Sequence, residues 1–310
     1  NGLQDRYMGE SFLNAVAHSV EEAKEKNLNV WLYDEDRWPS GCSGGYVTEN
    51  RCHRKKEMIF TFDKLTALSK EEGIKQGRRY LLTCFDVTFS EDGYLTDYRE
   101  VEEHDGCLRV YIDYEEDSLR YNYQAYADVL SDDAMQRFLE TTYEPYYERF
   151  GDEFGKSIKA IFTDEPQITR KEMPTFSKIN GFKKAVLPWT TDFDETYLAT
   201  YGERIIPKLP EVIFELPNGK YSVSRYRFHE HMSDRFRKTF SQKIGNWCRE
   251  HGIAFTGHFM LEQSLEDLAF CDEDVMPHYH DFDIPGIDIL CGYHEYTTAK
   301  QCQSVVHQDG

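Results

Sequence analysis

The sequence predicts an α/β protein built on a parallel sheet, and three observations support this fold class. Short apolar runs alternate with amphipathic helical segments, the pattern of parallel strands joined by helical crossovers. Acidic residues directly follow several of these runs. No G-x-G-x-x-G motif follows the first run, so a dinucleotide-binding fold is not indicated. The sheet is expected either to close as a barrel, with the acids around one mouth, or to stay open, with the acids along one edge.

The central strand is predicted in residues 157–166, Ser-Ile-Lys-Ala-Ile-Phe-Thr-Asp-Glu-Pro. A short apolar run that ends at a proline is typical of a strand buried on both faces, and Pro166 cannot continue a central strand. The strand therefore ends at Asp164 and Glu165. Two carboxylates at the carboxyl end of a buried strand favour an active site. The alternative is an Asp that caps the next turn and a Glu that is simply solvated.

The N-terminal segment predicts a helix and then a second strand that ends in acids. Apolar residues at spacings of three and four indicate a helix from Ser11 to Lys26. Residues 29–33 form the strand, and three acids follow it: Asp34, Glu35 and Asp36. The small residues at 41–45 allow a ligand to approach the backbone closely, but they lack the Lys-Ser/Thr ending of a phosphate loop.

Residues 56–116 are predicted to form a small antiparallel sheet inserted into the main α/β domain, which takes up residues 1–310. Strand-like runs occupy residues 58–62, 80–87 and 107–114, and turn-rich pieces join them. This insertion either forms a wall of the substrate cleft or is plain scaffold.

The α/β pattern resumes after the insertion. Residues 121–130 are predicted to form a strand that carries Asp128, and Ser131 is predicted to cap the next helix, which has a kink at Pro145. Residues 167–220 are irregular apart from a short helix near 195–201. A segment of this length between a strand and the next long helix predicts an excursion over the mouth of the sheet. It contains two candidate substrate-binding residues, Trp189 and Asp192.

The last third of the chain contains the clearest helical pattern. Apolar residues repeat every four positions from 222 to 250, which predicts a long helix with a buried stripe. A strand at 253–260 follows, bearing His258, and Glu262 lies just after it. Another short strand is predicted at 286–290, and a final helix at 297–307.

Composition limits the partners of the protein. The 310-residue chain carries a formal net charge of −20, which disfavours binding to nucleic acid and to anionic membranes. No apolar run has the length of a membrane span. The high aromatic share, 15%, suits carbohydrate, although most aromatic side chains are expected in the core. The eight cysteines are scattered without a C-x-x-C pair, so we expect free thiols and a cytoplasmic rather than a secreted protein.

Several carboxylates around one apolar mouth suit the hydrolysis of a glycosidic bond, in which one carboxyl protonates the leaving oxygen and a second activates water or attacks. Glu165 is the candidate proton donor, because burial and the neighbouring Asp164 would raise its pKa. The same acids could hold Ca²⁺ or Mg²⁺ instead. His258 could orient a hydroxyl, bind a metal or be a structural hydrogen-bonding residue. Two rival functions are a carbohydrate-binding barrel without catalysis and a metal-dependent hydrolase of another bond.

Three motifs carry a resemblance to a known family: residues 31–41, Trp-Leu-Tyr-Asp-Glu-Asp-Arg-Trp-Pro-Ser-Gly; residues 162–166, Phe-Thr-Asp-Glu-Pro; and residues 256–258, Thr-Gly-His, with Glu262. Residues 281–288 and 298–308 fit the same pattern. Together they resemble glycoside hydrolase family 106, the α-L-rhamnosidases, and their bacterial relatives. The resemblance implies a (β/α)8 barrel of the TIM type, hydrolysis with inversion of a rhamnoside-like sugar, and a calcium ion (Ca2+) near that sugar. It implies that Glu165 is the general acid, and that Glu262 is a second active-site carboxylate, either the base or a calcium ligand.

The expected substrate-binding residues complete the hypothesis: Asp34, Glu35, Asp36, Trp38, Asp164, His258, Trp189 and Asp192. The expected substrate is an oligosaccharide or glycoside. Main-sheet strands are predicted near residues 30, 125, 160, 257 and 288, whereas a closed barrel needs eight. We therefore expect an incomplete barrel, an internal piece of a longer protein that lacks the first strand and the last two strand–helix units.

Overall fold

The polypeptide forms two units that are interleaved along the chain. The computed structural model describes residues 5–121, 123–172, 178–289 and 296–309. Unit 1 comprises Asn1–His53, Asp117–Ile168 and Arg235–Gly310, and unit 2 comprises Arg54–Glu116 and Thr169–Asp234. The second unit therefore extends beyond the insertion expected at 56–116.

The helices and strands of these residues are, in chain order, α1 (Glu10–Glu25), β1 (Val30–Tyr33), β2 (Lys56–Thr61), α2 (Lys70–Gln76), β3 (Tyr80–Phe89), β4 (Leu95–Val101), β5 (Leu108–Tyr114), α3 (Asp132–Phe138), α4 (Glu144–Phe150), β6 (Ile158–Asp164), β7 (Lys184–Trp189), α5 (Phe193–Tyr201), α6 (Leu209–Ile213), α7 (Val223–Phe236), α8 (Lys243–Glu250), β8 (Ala254–His258), α9 (Leu265–Cys271), α10 (Met276–Tyr279), β9 (Ile284–Pro285) and α11 (Tyr296–Asp309).

Unit 1 contains a parallel sheet with the strand order β1-β6-β8-β9. The predicted central strand is confirmed: β6 lies between β1 and β8, with Tyr33 opposite Phe162 and Asp164 opposite His258. Over the described ranges the sheet has four strands and does not close into a barrel.

The strand predicted at 121–130 is wrong, because its described residues join neither sheet, and Gln124 makes an isolated antiparallel bridge with Ser118. Residues 125–127 are fully buried, as the apolar pattern requires. The next residues form hydrogen bonds outside the sheet. The N–H of Asp128 donates to the carbonyl of His53, and the Asp128 carboxylate accepts from the N–H of Leu130. Burial of a short apolar run does not by itself distinguish a strand from a packed loop.

The strand predicted at 286–290 is also displaced. The sheet partner is β9, Ile284–Pro285, and residues 286–289 are irregular; Leu290 lies outside the described residues. The N–H of Asp288 donates to a side chain, the carboxylate of Glu262, rather than to a neighbouring strand.

The long helices follow their sequence patterns with local interruptions. Ser131 caps α3 as predicted, since its hydroxyl accepts from the N–H of Ala134. A π-helical turn at Leu139–Tyr143 precedes Pro145, and another at Arg237–Gln242 joins α7 to α8, so the helix predicted at 222–250 is continuous but not uniform. None of the helices in the described ranges has both the length and the apolar character needed to cross a membrane.

Unit 2 contains an antiparallel sheet with the order β4-β3-β5-β2-β7. The three strands predicted in 56–116 are confirmed as β2, β3 and β5. Two further strands were not predicted. β4 is polar and largely exposed, so it lacks an apolar signal, and β7 contains Pro188, which disfavours the prediction of a strand.

Candidate active site

The carboxyl ends of β6, β8 and β9 in unit 1 approach each other very closely. Gly257 has a φ of +152°, and a Cβ atom there would lie 2.2 Å from the carbonyl oxygen of Thr163. A Cβ atom on Gly286 would lie 2.5 Å from the carbonyl oxygen of Gly257. Only glycine permits this spacing. As a result Glu165, His258 and Asp288 meet at one place.

Glu165 follows β6 directly in a left-handed conformation, with φ +45°. Its N–H donates to the carbonyl of His258 at 3.1 Å. One carboxylate oxygen, Oε2, accepts the indole N–H of Trp38, and the other, Oε1, lies 3.9 Å from Nδ1 of His258. Burial raises the pKa of Glu165, while the Trp38 N–H and His258 oppose that rise. A positive φ in a non-glycine residue is strained, and such strain concentrates at functional sites.

His258 is held by Asp164 and is 8% exposed. Its Nε2 lies 3.4 Å from Oδ1 of Asp164. Asp164 is fixed in turn by the hydroxyl of Tyr33, which donates to Oδ2 at 2.7 Å, and by Ser40, whose hydroxyl accepts from the Asp164 N–H at 2.8 Å. The remaining ring nitrogen, Nδ1, has no hydrogen-bond partner among the residues that the structure describes.

Asp288 completes the group that faces Glu165. One potential ligand atom from each of Glu165, His258 and Asp288 lies within 4.8 Å of the other two. The sequence analysis did not select Asp288 as a site residue. The available signal was its position as an acid inside the short apolar run Gly-Ile-Asp-Ile at 286–289.

Glu262, the expected second catalytic carboxylate, is only 1% exposed. Its Oε1 accepts from the N–H of Phe259 at 2.6 Å and from the hydroxyl of Tyr279 at 2.9 Å, and its Oε2 accepts from the N–H of Asp288 at 3.2 Å. Burial raises its pKa, and these donors oppose the rise. Both oxygens are therefore occupied by the protein, and the geometry favours a role in positioning Asp288.

Glu35 is enclosed by backbone. Its carboxylate accepts from the N–H groups of Cys42 at 2.7 Å, Ser43 at 2.6 Å, Gly44 at 2.5 Å and Asp36 at 3.0 Å. Burial raises its pKa, and these N–H groups oppose the rise. Glu35 thus stabilises the conformation of the loop at 41–45 through hydrogen bonds to its backbone.

Asp34 is fully buried and accepts from the hydroxyls of Ser40 at 2.5 Å and Tyr143 at 2.7 Å. Burial raises its pKa to about 7. Asp36 forms an ion pair with Arg37. Of the four candidates in this motif, the one whose side chain bonds to Glu165 is Trp38.

Trp189 and Asp192 belong to unit 2. The Trp189 ring is 2% exposed and lies 5.1 Å from the ring of Phe193, so it is part of the core of that unit. Asp192 precedes α5, and its carbonyl accepts from the N–H of Thr196 at 3.0 Å.

The Glu165–His258–Asp288 group does not fit the calcium ion that the family resemblance implies. Calcium takes six to eight oxygen ligands. Here two carboxylates are joined by an imidazole nitrogen. This mixed set of ligands is not one that calcium prefers.

Comparisons with known proteins do not identify a family for this chain. No protein-family model matches the sequence, and no curated protein matches it. A rhamnosidase from Novosphingobium sp. PP1Y is a structural match with a TM-score of 0.46 and 17% identity, covering 66% of this chain and 19% of that one. The chain thus spans about a fifth of the length of that structure. A similarity at this level does not assign the fold or the function.

Proposed function

We propose that this chain supplies the catalytic carboxylates of a glycoside hydrolase, in which Glu165 is the general acid. The observation that carries the proposal is the setting of its carboxyl group at the end of β6. Oε2 is fixed by Trp38, Oε1 lies 3.9 Å from Nδ1 of His258, and a carboxylate oxygen of Asp288 lies close to both residues. Such a group is oriented on one side and available on the other.

The environment of Glu165 suits proton donation. A general acid works best when its pKa lies near the working pH, and burial shifts the pKa of Glu165 upward. The indole N–H of Trp38 fixes the direction of the carboxyl group. His258 and its partner Asp164 lie beside it, where they can hydrogen-bond to a sugar hydroxyl.

Asp288 is the best-placed second carboxylate. One carboxylate oxygen of Glu165 lies within 4.8 Å of one carboxylate oxygen of Asp288. This proximity supports Asp288 as the second carboxylate, acting either as a nucleophile with retention of configuration or as a base with the inversion that the family resemblance implies.

The finer proposal is an α-L-rhamnoside-like substrate. It rests on the resemblance of residues 31–41, 162–166 and 256–258 to the rhamnosidase family. Two of these motifs supply Trp38 and Glu165, which bond to each other, and the third supplies His258.

The test is hydrolysis of a panel of p-nitrophenyl glycosides, with α-L-rhamnoside first, followed by NMR of the first-formed product anomer. Release of p-nitrophenol supports the proposed hydrolase. A retained anomer assigns the second carboxylate as a nucleophile, and an inverted anomer assigns it as the base that activates water. Sugar binding detected by calorimetry, without hydrolysis of any glycoside, would contradict the proposed hydrolase activity and favour a carbohydrate-binding protein.

A further inference from the structure

The imidazole of His258 has an unpartnered nitrogen beside the Glu165 carboxylate, and Asp288 lies close to both residues. The side chain is nine-tenths buried, and Nδ1 has no hydrogen-bond partner within the described part of the chain. The atom nearest to it on Glu165 is Oε1, at 3.9 Å, and Asp288 completes the group. A buried polar atom without a partner is costly, so this arrangement calls for a positive species between the three groups.

The opposite side of the ring has the support expected of a metal ligand. Nε2 faces Oδ1 of Asp164 at 3.4 Å, and Tyr33 fixes that carboxylate through a 2.7 Å hydrogen bond. Histidine ligands of metals usually direct their second ring nitrogen at a carboxylate or carbonyl in this way. A proton on Nε2 leaves the lone pair of Nδ1 free to bind an ion beside Oε1 of Glu165.

The donor set selects the kind of ion. Two carboxylate oxygens and one imidazole nitrogen suit Zn²⁺ and Co²⁺, which accept three protein ligands and keep an open position. Two ligand atoms about 2.1 Å from a tetrahedral ion lie roughly 3.4 Å apart. The separation of Nδ1 and Oε1, 3.9 Å, is wider, and the three ligand atoms lie within 4.8 Å of one another, so the side chains would rotate inward to complete the site.

We propose that Glu165, His258 and Asp288 bind a divalent ion of the Zn²⁺ class, and that this ion inhibits the hydrolase. A bound ion occupies Oε1 of Glu165, the oxygen that faces the substrate. The inhibition rests on the proposed function, whereas the binding does not.

The binding test uses the whole chain, stripped with EDTA and titrated with Co²⁺ while the visible absorption is recorded. We expect one ion per chain and the intense bands of a four-coordinate complex. His258→Gln removes Nδ1 but leaves an amide that can reach Asp164, and Asp288→Asn removes one oxygen ligand from a partly exposed side chain. Each should weaken binding by about 100-fold or more, since even the loss of a supporting residue costs about 10–100-fold.

The matched control is His104→Gln in unit 2, where an exposed histidine pairs with Asp86 at 2.7 Å. This variant should bind Co²⁺ like the parent chain. Circular dichroism confirms that each variant is folded, and Asp288→Asn provides the decisive comparison should His258→Gln unfold. Binding that is absent from the folded parent, unchanged in both site variants, or tighter for Ca²⁺ than for Co²⁺ would overturn the proposal.

Hydrolysis with and without the ion separates the two proposals. We expect Zn²⁺ to inhibit glycoside hydrolysis and EDTA to restore it. Stoichiometric binding by a protein that hydrolyses no glycoside would leave the metal site standing and remove the hydrolase. A chain that binds no Co²⁺ and hydrolyses glycosides at a rate unchanged by Zn²⁺ would support the hydrolase and overturn the metal site.

Discussion

The acid pairs that end β1 and β6 have similar sequences but different surroundings. Asp34–Glu35 and Asp164–Glu165 follow neighbouring parallel strands, with Tyr33 paired to Phe162 just before them. The first pair is buried: Glu35 accepts four backbone N–H groups, and Asp34 accepts two hydroxyls. In the second pair, Glu165 accepts one indole N–H through Oε2, and its Oε1 lies 3.9 Å from Nδ1 of His258, close to Asp288.

The difference shows that the donors around a carboxylate decide its role. A loop can supply several N–H groups to one carboxylate only when its backbone turns sharply. Gly41 and Gly44 provide this turn, with φ values of +130° and +58°. At Gly44 a Cβ atom would lie 2.8 Å from Cβ of Tyr7. The segment after Glu165 begins with Pro166 and donates no comparable set of N–H groups, which leaves this carboxylate available for chemistry.

The largest expected effect is the loss of turnover in Glu165→Gln. Removing a general acid costs about 10²–10⁴-fold in kcat, and the fold should remain intact because one donor is affected. Substrates with activated aryl leaving groups should be affected less, since they need little protonation. Steady-state kinetics on activated and unactivated glycosides measures this, with the exposed Glu140→Gln as control. Equal losses on both substrates would move the acid role to another residue.

The same substitution at Glu35 should mainly lower stability, whereas Glu165→Gln should mainly lower turnover. Glu35→Gln turns an amide NH₂ toward backbone N–H groups, so at least one donor loses its acceptor inside the protein. We expect a loss of about 3 kcal/mol in the free energy of unfolding, measured by urea denaturation. Glu165→Gln should change that free energy by less than about 1 kcal/mol. Similar stability losses in the two variants would contradict the distinction between the pairs.

The pH dependence of stability should reveal Asp34. Its folded pKa, raised to about 7 by burial, exceeds the ordinary value of 3.8. Between these values the folded chain binds the Asp34 proton more tightly than the unfolded chain does. The contribution of Asp34 protonation to the free energy of unfolding is therefore complete below pH 3.8 and is lost as the pH rises through 7. Compared with the parent, Asp34→Asn should therefore become relatively more stable as the pH rises, by at most about 1.4 kcal/mol per pH unit. Urea denaturation of both proteins from pH 4 to 8 measures this, and a constant difference would refute it.

The smallest expected effects come from the two tyrosines that donate to these pairs. Tyr143→Phe removes a buried donor from Asp34 and should lower the free energy of unfolding by about 1 kcal/mol with little change in turnover. Tyr33→Phe releases Asp164 and, through it, His258, so turnover should fall by a few fold with a smaller change in stability. Parallel urea and kinetic measurements compare them. Interchanged results would show that Asp164 is structural and that Asp34 acts in the site.

The spacing of apolar residues was sufficient to predict the helices and strands that bury one regular face or a continuous apolar run. Helix α1, the helical segment 223–250 and strand β6 have apolar residues at the correct period, and the structure confirms them. The failures have physical causes. Residues 125–127 are buried but join neither sheet, and the polar edge strand β4 has no apolar signal to detect.

The sequence by itself determined that this is an α/β protein with acids at the ends of parallel strands, because strand burial and chain breakers depend on neighbouring residues. Only the tertiary structure decided what each acid does. The role of a carboxylate depends on donors from distant residues: Trp38 for Glu165, Tyr279 for Glu262, and Tyr143 for Asp34. Asp288 joined the site because glycines at 257 and 286 let the strands approach within a distance that no side chain would permit. That spacing is a property of packing between strands, and no single stretch of sequence contains it.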